Sequence, residues 1–217
     1  MNIFEKKKKI VLACPSMNDL CCVNFATSLH ATNWPGERPP ILISKAKWVA
    51  KALHEMVLRS RELKADYMIW ISNDVAWESD TVKKLIAHDK PVIGGWAKGR
   101  YSPFQCHVAD TWSPDKNKYH IIQNPTEHHG LEKVAANGGE MLCFRMDVFD
   151  KIPEPWFFGR EMVLVDKDGK ATELQTEDFF FFSECRKYGV DIWVDWDAPL
   201  YHMAAGLMSY KGDLIAR

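Results

Sequence analysis

A glycine-rich phosphate loop is missing from this chain. The stretch after the first apolar run reads CPSMNDLCC (14–22), with no glycine in it. A dinucleotide-binding Gly-x-Gly-x-x-Gly turn is therefore not expected there, and no P-loop occurs elsewhere. Cys-x-x-Cys is absent too. The six cysteines (14, 21, 22, 106, 143 and 185) follow no framework spacing, which points to reduced, mostly buried thiols in a cytosol-like compartment. No apolar run approaches a membrane span, and the charged start lacks the apolar segment of a signal peptide, so a cytoplasmic protein is expected. An excess of one charge is lacking as well: 28 basic against 29 acidic side chains leave a net charge of −1. General nucleic-acid binding is not expected from that balance. The charge run Lys6 to Lys9 reads as a solvated lead-in to a strand.

What is present suits one domain with a proper core. The chain has 217 residues, 47% hydrophobic and 26% charged, ordinary values for a globular protein. Nine tryptophans, many beside charged or turn residues, suggest binding surfaces, although large rings also fill cores well. Several motifs begin and fail. His54-Glu55 opens like a zinc-protease helix, but Leu58 stands where the second His is needed. Asp166-Lys167-Asp168-Gly169 resembles a calcium loop, but Leu164 and Gln175 occupy the first and last ligand positions. His128-His129 are adjacent, which suits a loop better than chelation, and no nucleophile elbow is present.

The first half alternates strand and helix signals. Short apolar runs at 9–14, 66–72 and 90–95 read as buried strands. Helical spacing marks 19–30, 44–64 (with Ser44 as a cap) and 79–89, and 33–40 reads as a loop. That alternation predicts a largely parallel sheet covered on both faces, with ligands beyond the carboxyl ends of its strands. Residues 96–135 carry weaker signals, chiefly a strand at 119–123. A strand running into a short helix is expected over 138–152, a hairpin over 162–174, a helix over 176–189 with Thr176 at its N-cap, and a last strand over 190–196.

Three pieces of this framework carry chemistry. Ser72-Asn73-Asp74 follows a buried strand, Glu177-Asp178 opens a helix, and His202 follows the last strand. Asp74 and His202 suit a divalent metal whose other positions are filled by phosphate oxygens. Asp178 suits a general base toward a hydroxyl. Each also has a plainer reading: an Asx turn at Asp74, a helix-dipole role for Glu177 and Asp178, and a packed histidine at 202.

In this order the residues resemble a family. The chain is similar to nucleotide-sugar glycosyltransferases of the A-type fold. In these a strand-end Asp-x-Asp binds metal and diphosphate, followed by a Gly-rich segment, a Glu-Asp helix start and a metal-binding His. The corresponding stretches are ADYMIWISNDVAWESDTVKKLIAHDKPVIGG, NGGEMLCFRMDVFDKIPEPWF and TEDFFFFSECRKYGVDIWVDWDAPLYHMAAG, and the resemblance covers residues 9–206. It implies an α/β, Rossmann-like nucleotide-diphospho-sugar transferase fold: a mostly parallel central sheet, helices on both faces, and a smaller antiparallel or loop region for the acceptor. One domain over 1–217 would divide into a nucleotide-binding half (9–95) and an acceptor and catalytic half (96–206). The chain departs from the family where Ser72 replaces the first acid of Asp-x-Asp. Weaker or altered metal and nucleotide binding is expected, with Ser72 or Asn73 still able to hydrogen-bond the ribose.

The resemblance further implies a nucleoside-diphosphate-sugar donor, UDP-sugar in the first place, and a glycan or other hydroxyl acceptor. The nucleoside would lie near Pro15 and Ser16, with Lys47 reaching a phosphate. Mn2+ or Mg2+ would sit on Asp74 and His202, and Gly138-Gly139 would let backbone approach the sugar. Asp178, or Glu177 as the alternate base, would deprotonate the acceptor with inversion at the anomeric carbon. Trp96, Tyr101, Trp112 and Trp156 could stack on sugar rings. A non-catalytic carbohydrate- or nucleotide-binding module and a sugar-phosphate nucleotidyltransferase are the competing readings. The second is disfavoured by the missing glycine loop.

Overall fold

A computed structural model of the protein describes residues 8–16, 21–44, 48–99, 105–113, 118–158, 176–203, 207–208 and 214–216. Lys47, Tyr101 and the hairpin expected over 162–174 lie outside these residues. In chain order the elements are β1 (Ile10–Pro15), α1 (Val23–Ala31), β2 (Ile41–Ser44), α2 (Val49–Glu62), β3 (Tyr67–Ile71), β4 (Val75–Trp77), α3 (Thr81–Ala87) and β5 (Val92–Trp96). There follow β6 (Val108–Ser113), β7 (Lys118–Ile121), β8 (Leu131–Val134), β9 (Ala136–Asn137), β10 (Met141–Arg145), α4 (Val148–Lys151), α5 (Glu177–Lys187), β11 (Ile192–His202), β12 (Leu207–Met208) and β13 (Leu214–Ala216).

The main sheet runs β2-β1-β3-β10-β5-β11-β4, with β8 also paired to β11. Tyr67–Ile71 and Val92–Trp96 are buried at every position, as strands covered on both faces must be. On one face lie Leu53, Met56 and Val57 of α2, Phe149 of α4, and Phe181, Phe182 and Cys185 of α5. On the other lie Phe25 of α1 and Val82, Leu85 and Ile86 of α3. Helices on both faces, as expected, therefore enclose the sheet.

Its direction is more mixed than the alternation predicts. β1 runs parallel to β2 and β3, and β11 parallel to β5, but β10 is antiparallel to both β3 and β5. The cause lies in the chain path. After β5 the chain forms the small β7-β6-β9 sheet and adds β8 to the main sheet, antiparallel to β11. Among the described residues no helical crossover precedes β10, and the chain enters that strand from the carboxyl ends of β3 and β5, so it runs antiparallel to both. Glu140, one residue before β10, is thereby delivered to the carboxyl ends of β3 and β5.

Two short strands escape sequence patterning. Ile41–Ser44 pairs in parallel with β1, Ser44 opposite Pro15. Ser44 therefore ends a strand instead of capping a helix; its hydroxyl lies 3.3 Å from Glu55, and α2 starts at Val49 with Trp48 at its N-cap. Val75–Trp77 pairs antiparallel with the end of β11, Val75 opposite His202. β11 is longer than expected because its register shifts between Val194 and Pro199, letting one strand serve β5 first and β4 afterwards.

Two of the proposed sugar-stacking rings are core. Trp96 (2% exposed) donates its indole N–H to the Trp196 carbonyl, and Trp156 (1% exposed) donates to Ile152 and stacks on His54. Neither offers a face to a sugar. Trp112 is half-buried under the Arg186 guanidinium, 4.7 Å from the ring centre. All six cysteines are unpaired, and Cys14, Cys106, Cys143 and Cys185 are buried. Among the described residues no helix is long and apolar enough to cross a membrane.

Candidate functional site

The turn Gly138-Gly139-Glu140 is the hub of a polar cluster at the strand carboxyl ends. It joins β9 to β10, and both its backbone and its side chain are engaged. Gly138 N–H donates to the His107 carbonyl (2.8 Å) and Ser72 N–H to the Glu140 carbonyl (3.0 Å). Ser72 Oγ donates to the Gly139 carbonyl (3.0 Å). Gly139 N–H donates to Asp178 Oδ2 (3.1 Å).

Glycine is required here by close approach. A Cβ on Gly139 would lie 2.3 Å from the Trp70 ring, and one on Gly138 would lie 2.4 Å from Glu140 Oε2. The groups that come this close to Gly138 and Gly139 are the protein's own side chains, those of Trp70, His107 and Glu140. Ser72, likewise, spends its hydroxyl on the Gly139 carbonyl. Asn73 Nδ2 lies 3.4 Å from Ser16 Oγ, which ties the strand-end turn to the segment after Pro15.

Asp74 and His202 do meet, as the sequence suggests. The β4–β11 pairing and the Met203 N–H···O=C Asp74 bond (2.9 Å) hold them side by side, with His202 Nε2 3.5 Å from Asp74 Oδ2. Sequence reasoning missed two further members. Glu140, buried, makes a short contact with His107 Nδ1 through Oε1, and that same oxygen lies 3.9 Å from His202 Nδ1. The ligand atoms of His107, Glu140 and His202 all lie within 4.8 Å of one another. His202 itself is buried, and its Nδ1 has no hydrogen-bond partner among the described residues. A buried, orphaned imidazole nitrogen beside a carboxylate and a second imidazole fits a divalent cation. Glu140 had a sequence signal in its place directly after Gly138-Gly139; His107 had none.

Electrostatics separates Glu140 from Asp178. Burial alone would raise the Glu140 carboxyl, but the adjacent His107, with His202 behind it, holds it below the ordinary range. Asp178 goes the other way. Burial raises it and the Glu140 charge adds to that, against hydrogen bonds from Thr176, Phe179 N–H (2.9 Å) and Gly139 N–H. Thr176 thus serves the Asp178 carboxylate and makes no side-chain cap to the helix backbone. Two backbone N–H groups fix the carboxylate's orientation, and the residue as a whole is half-buried. Glu177 starts α5 and is half-buried.

No protein-family model matches the chain, and no curated protein matches it. Solved structures do. A197 from STIV superposes with a TM-score of 0.65 at 16% identity, covering 96% of this chain and 94% of that one. GalNAc-T7 with UDP, GalNAc and Mn2+ superposes with a TM-score of 0.59 at 7% identity, covering 91% of this chain and 44% of that chain. Identities this low speak to fold alone: the chain shares the mixed α/β fold of these two structures.

Proposed function

We propose that the protein transfers a sugar from a nucleoside-diphosphate sugar, UDP-sugar in the first place, to a hydroxyl acceptor. One observation carries this reading. The Gly138-Gly139-Glu140 turn joins a candidate base, Asp178, to the Asp74–His202 cluster at the carboxyl ends of the strands, where ligands bind in open α/β sheets. The likeness in fold to a protein solved with UDP, GalNAc and Mn2+ supports it.

Asp178 receives the acceptor proton. Its raised pKa makes it a better proton acceptor than an ordinary aspartate, and its two backbone hydrogen bonds hold it in one orientation. As the acceptor oxygen bonds to the anomeric carbon, the bond from that carbon to the diphosphate oxygen breaks, and configuration inverts. A divalent cation at His202, with Asp74 on one side of the ring and Glu140 and His107 on the other, would neutralise charge on the departing diphosphate. Asn73 and Ser16, which bridge the ends of β3 and β1, would meet the nucleoside. Ser72 supports the glycine turn instead of the ribose.

The test is calorimetric titration of UDP, then GDP, with and without Mn2+, into the wild type and Asp74→Ala. Metal-dependent nucleotide binding that Asp74→Ala removes supports the assignment, and donor turnover abolished in Asp178→Asn completes it. Absence of binding by either nucleotide in every condition would overturn it. Nucleotide binding without turnover would favour a non-catalytic binding module.

A further inference from the structure

The His202 imidazole presents two nitrogens to two different acids. Nε2 faces Asp74 at 3.5 Å, within reach of a direct charge contact. Nδ1 faces Glu140 Oε1 at 3.9 Å, too far for a hydrogen bond, and has no partner although it is buried. His107 closes that side, its ring 6.2 Å from the His202 ring and nearly perpendicular to it. We propose that His107, Glu140 and His202 form a preassembled site for a transition-metal dication, Zn2+ or Co2+ above Mn2+ and Mn2+ above Mg2+, on the Nδ1 side of His202.

Three observations carry this. Bond lengths of about 2.0–2.2 Å place two ligands of one ion at most ~4.4 Å apart. The three ligand atoms already lie within 4.8 Å, so adjustments of about an ångström, opening the His107–Glu140 contact and closing the longer separations, seat an ion. Two imidazoles with one carboxylate are borderline donors that suit late first-row metals; Mg2+ prefers oxygen and keeps its waters. His107 has a side chain 41% exposed, which leaves an entry path from solvent to an otherwise buried set. Asp74, on the far nitrogen, then orients the ring as a carboxylate partner in the manner of histidine–metal sites.

The inference deepens the transferase reading and rests on it only for the use of the metal, not for its binding. Zn2+, Co2+, Mn2+ and Mg2+ are titrated calorimetrically into the full chain without nucleotide, and Co2+ binding is also followed by its visible absorption. Near-stoichiometric Zn2+ and Co2+ binding is expected, with Mg2+ weakest. Loss of a direct ligand in His107→Asn or Glu140→Gln should weaken Zn2+ binding by at least the ~10–100-fold typical of losing an outer-shell partner. Asp74→Asn should stay within that range. His107→Asn alters a half-exposed side chain, so it carries the test even if Glu140→Gln fails to fold. Wild-type affinity in His107→Asn, or Mg2+ binding as tightly as Zn2+, would overturn the proposal. Metal binding that obeys it without any UDP or GDP binding would instead sink the transferase reading and leave the site standing.

Discussion

The two ends of strands β3, β5 and β10 both gather ionisable groups and treat them in opposite ways. At the amino end of β3, Lys8 donates to Tyr67 (2.9 Å) and Asp89 (3.1 Å), and Arg145 grips Asp147 through two hydrogen bonds (2.7 and 3.0 Å). Arg61 pairs with Asp150 at 2.7 Å. A cavity of about 560 Å³ lies there, lined by four acids (Asp66, Asp89, Asp147, Asp150) and four bases (Lys8, Arg61, Lys64, Arg145). Tyr67 and Lys8 hold Asp89 below its ordinary range, and Arg145 does the same for Asp147. At the carboxyl end, Asp74, Glu140 and Asp178 gather around His107 and His202. One acid is pushed up, and one buried nitrogen is left unmatched.

The contrast separates the two ends by chemistry. Charge that is balanced by neighbouring ions is content without a ligand, and such exposed pairs add little stability. A buried carboxylate such as Glu140, faced by imidazoles, is costly unless something binds it. The paired end therefore reads as structural, and the cluster around His202 as the candidate site.

Substitutions at the two ends should behave accordingly. The largest effect is expected from Asp178→Asn, a fall in kcat of about 10²–10⁴-fold if it is the general base, read in a donor-turnover assay. Thermal midpoint should change little. Gly139→Ala should follow, destabilising by roughly 1–3 kcal/mol through overpacking against Trp70. Urea unfolding measures this, and a coil-to-core clash that relaxes freely would show as no shift in midpoint.

Acidity offers a third comparison, because the ends respond with opposite sign. Asp178 has a raised folded pKa, so its ionisation opposes folding. Its contribution favours the native state at low pH and is lost as pH rises through that raised pKa. Activity, needing the ionised base, should rise over the same interval, and a pH–rate profile of kcat/KM tests this. Asp89 and Asp147 have lowered folded pKa values, so they stabilise above the ordinary aspartate pKa of about 3.9 and lose that contribution as pH falls through the lowered values. The smallest effect is expected from Arg145→Met: under ~1 kcal/mol at neutral pH, vanishing in acid, with turnover unchanged. A large loss of activity in that variant would break the division between the two ends.

Much of the frame was legible in the residues. β3, β5, α3 and the body of α2 announce themselves because burial on both strand faces, or along one helix stripe, imposes a local pattern. β2 and β4 do not, since three or four residues give no period and their partners lie far along the chain. The mostly parallel sheet was overstated for the same reason: the direction of β10 depends on where the chain re-enters, not on Met141–Arg145 itself. Trp96 and Trp156 show the limit from another side, because a ring that fills a core and a ring that stacks on a sugar have the same local sequence.

The sequence by itself marked Asp74, Asp178 and His202 as candidates, because strand ends and helix starts are local features with local residue signatures. Tertiary structure alone decided that Glu140 and His107 join them. Contacts such as Ser72 with Gly139 and Gly139 with Asp178 span 67 and 39 residues, and only the folded chain path brings such distant groups within hydrogen-bonding range. It also left one nitrogen of His202 buried without a partner, a condition no residue pattern can express.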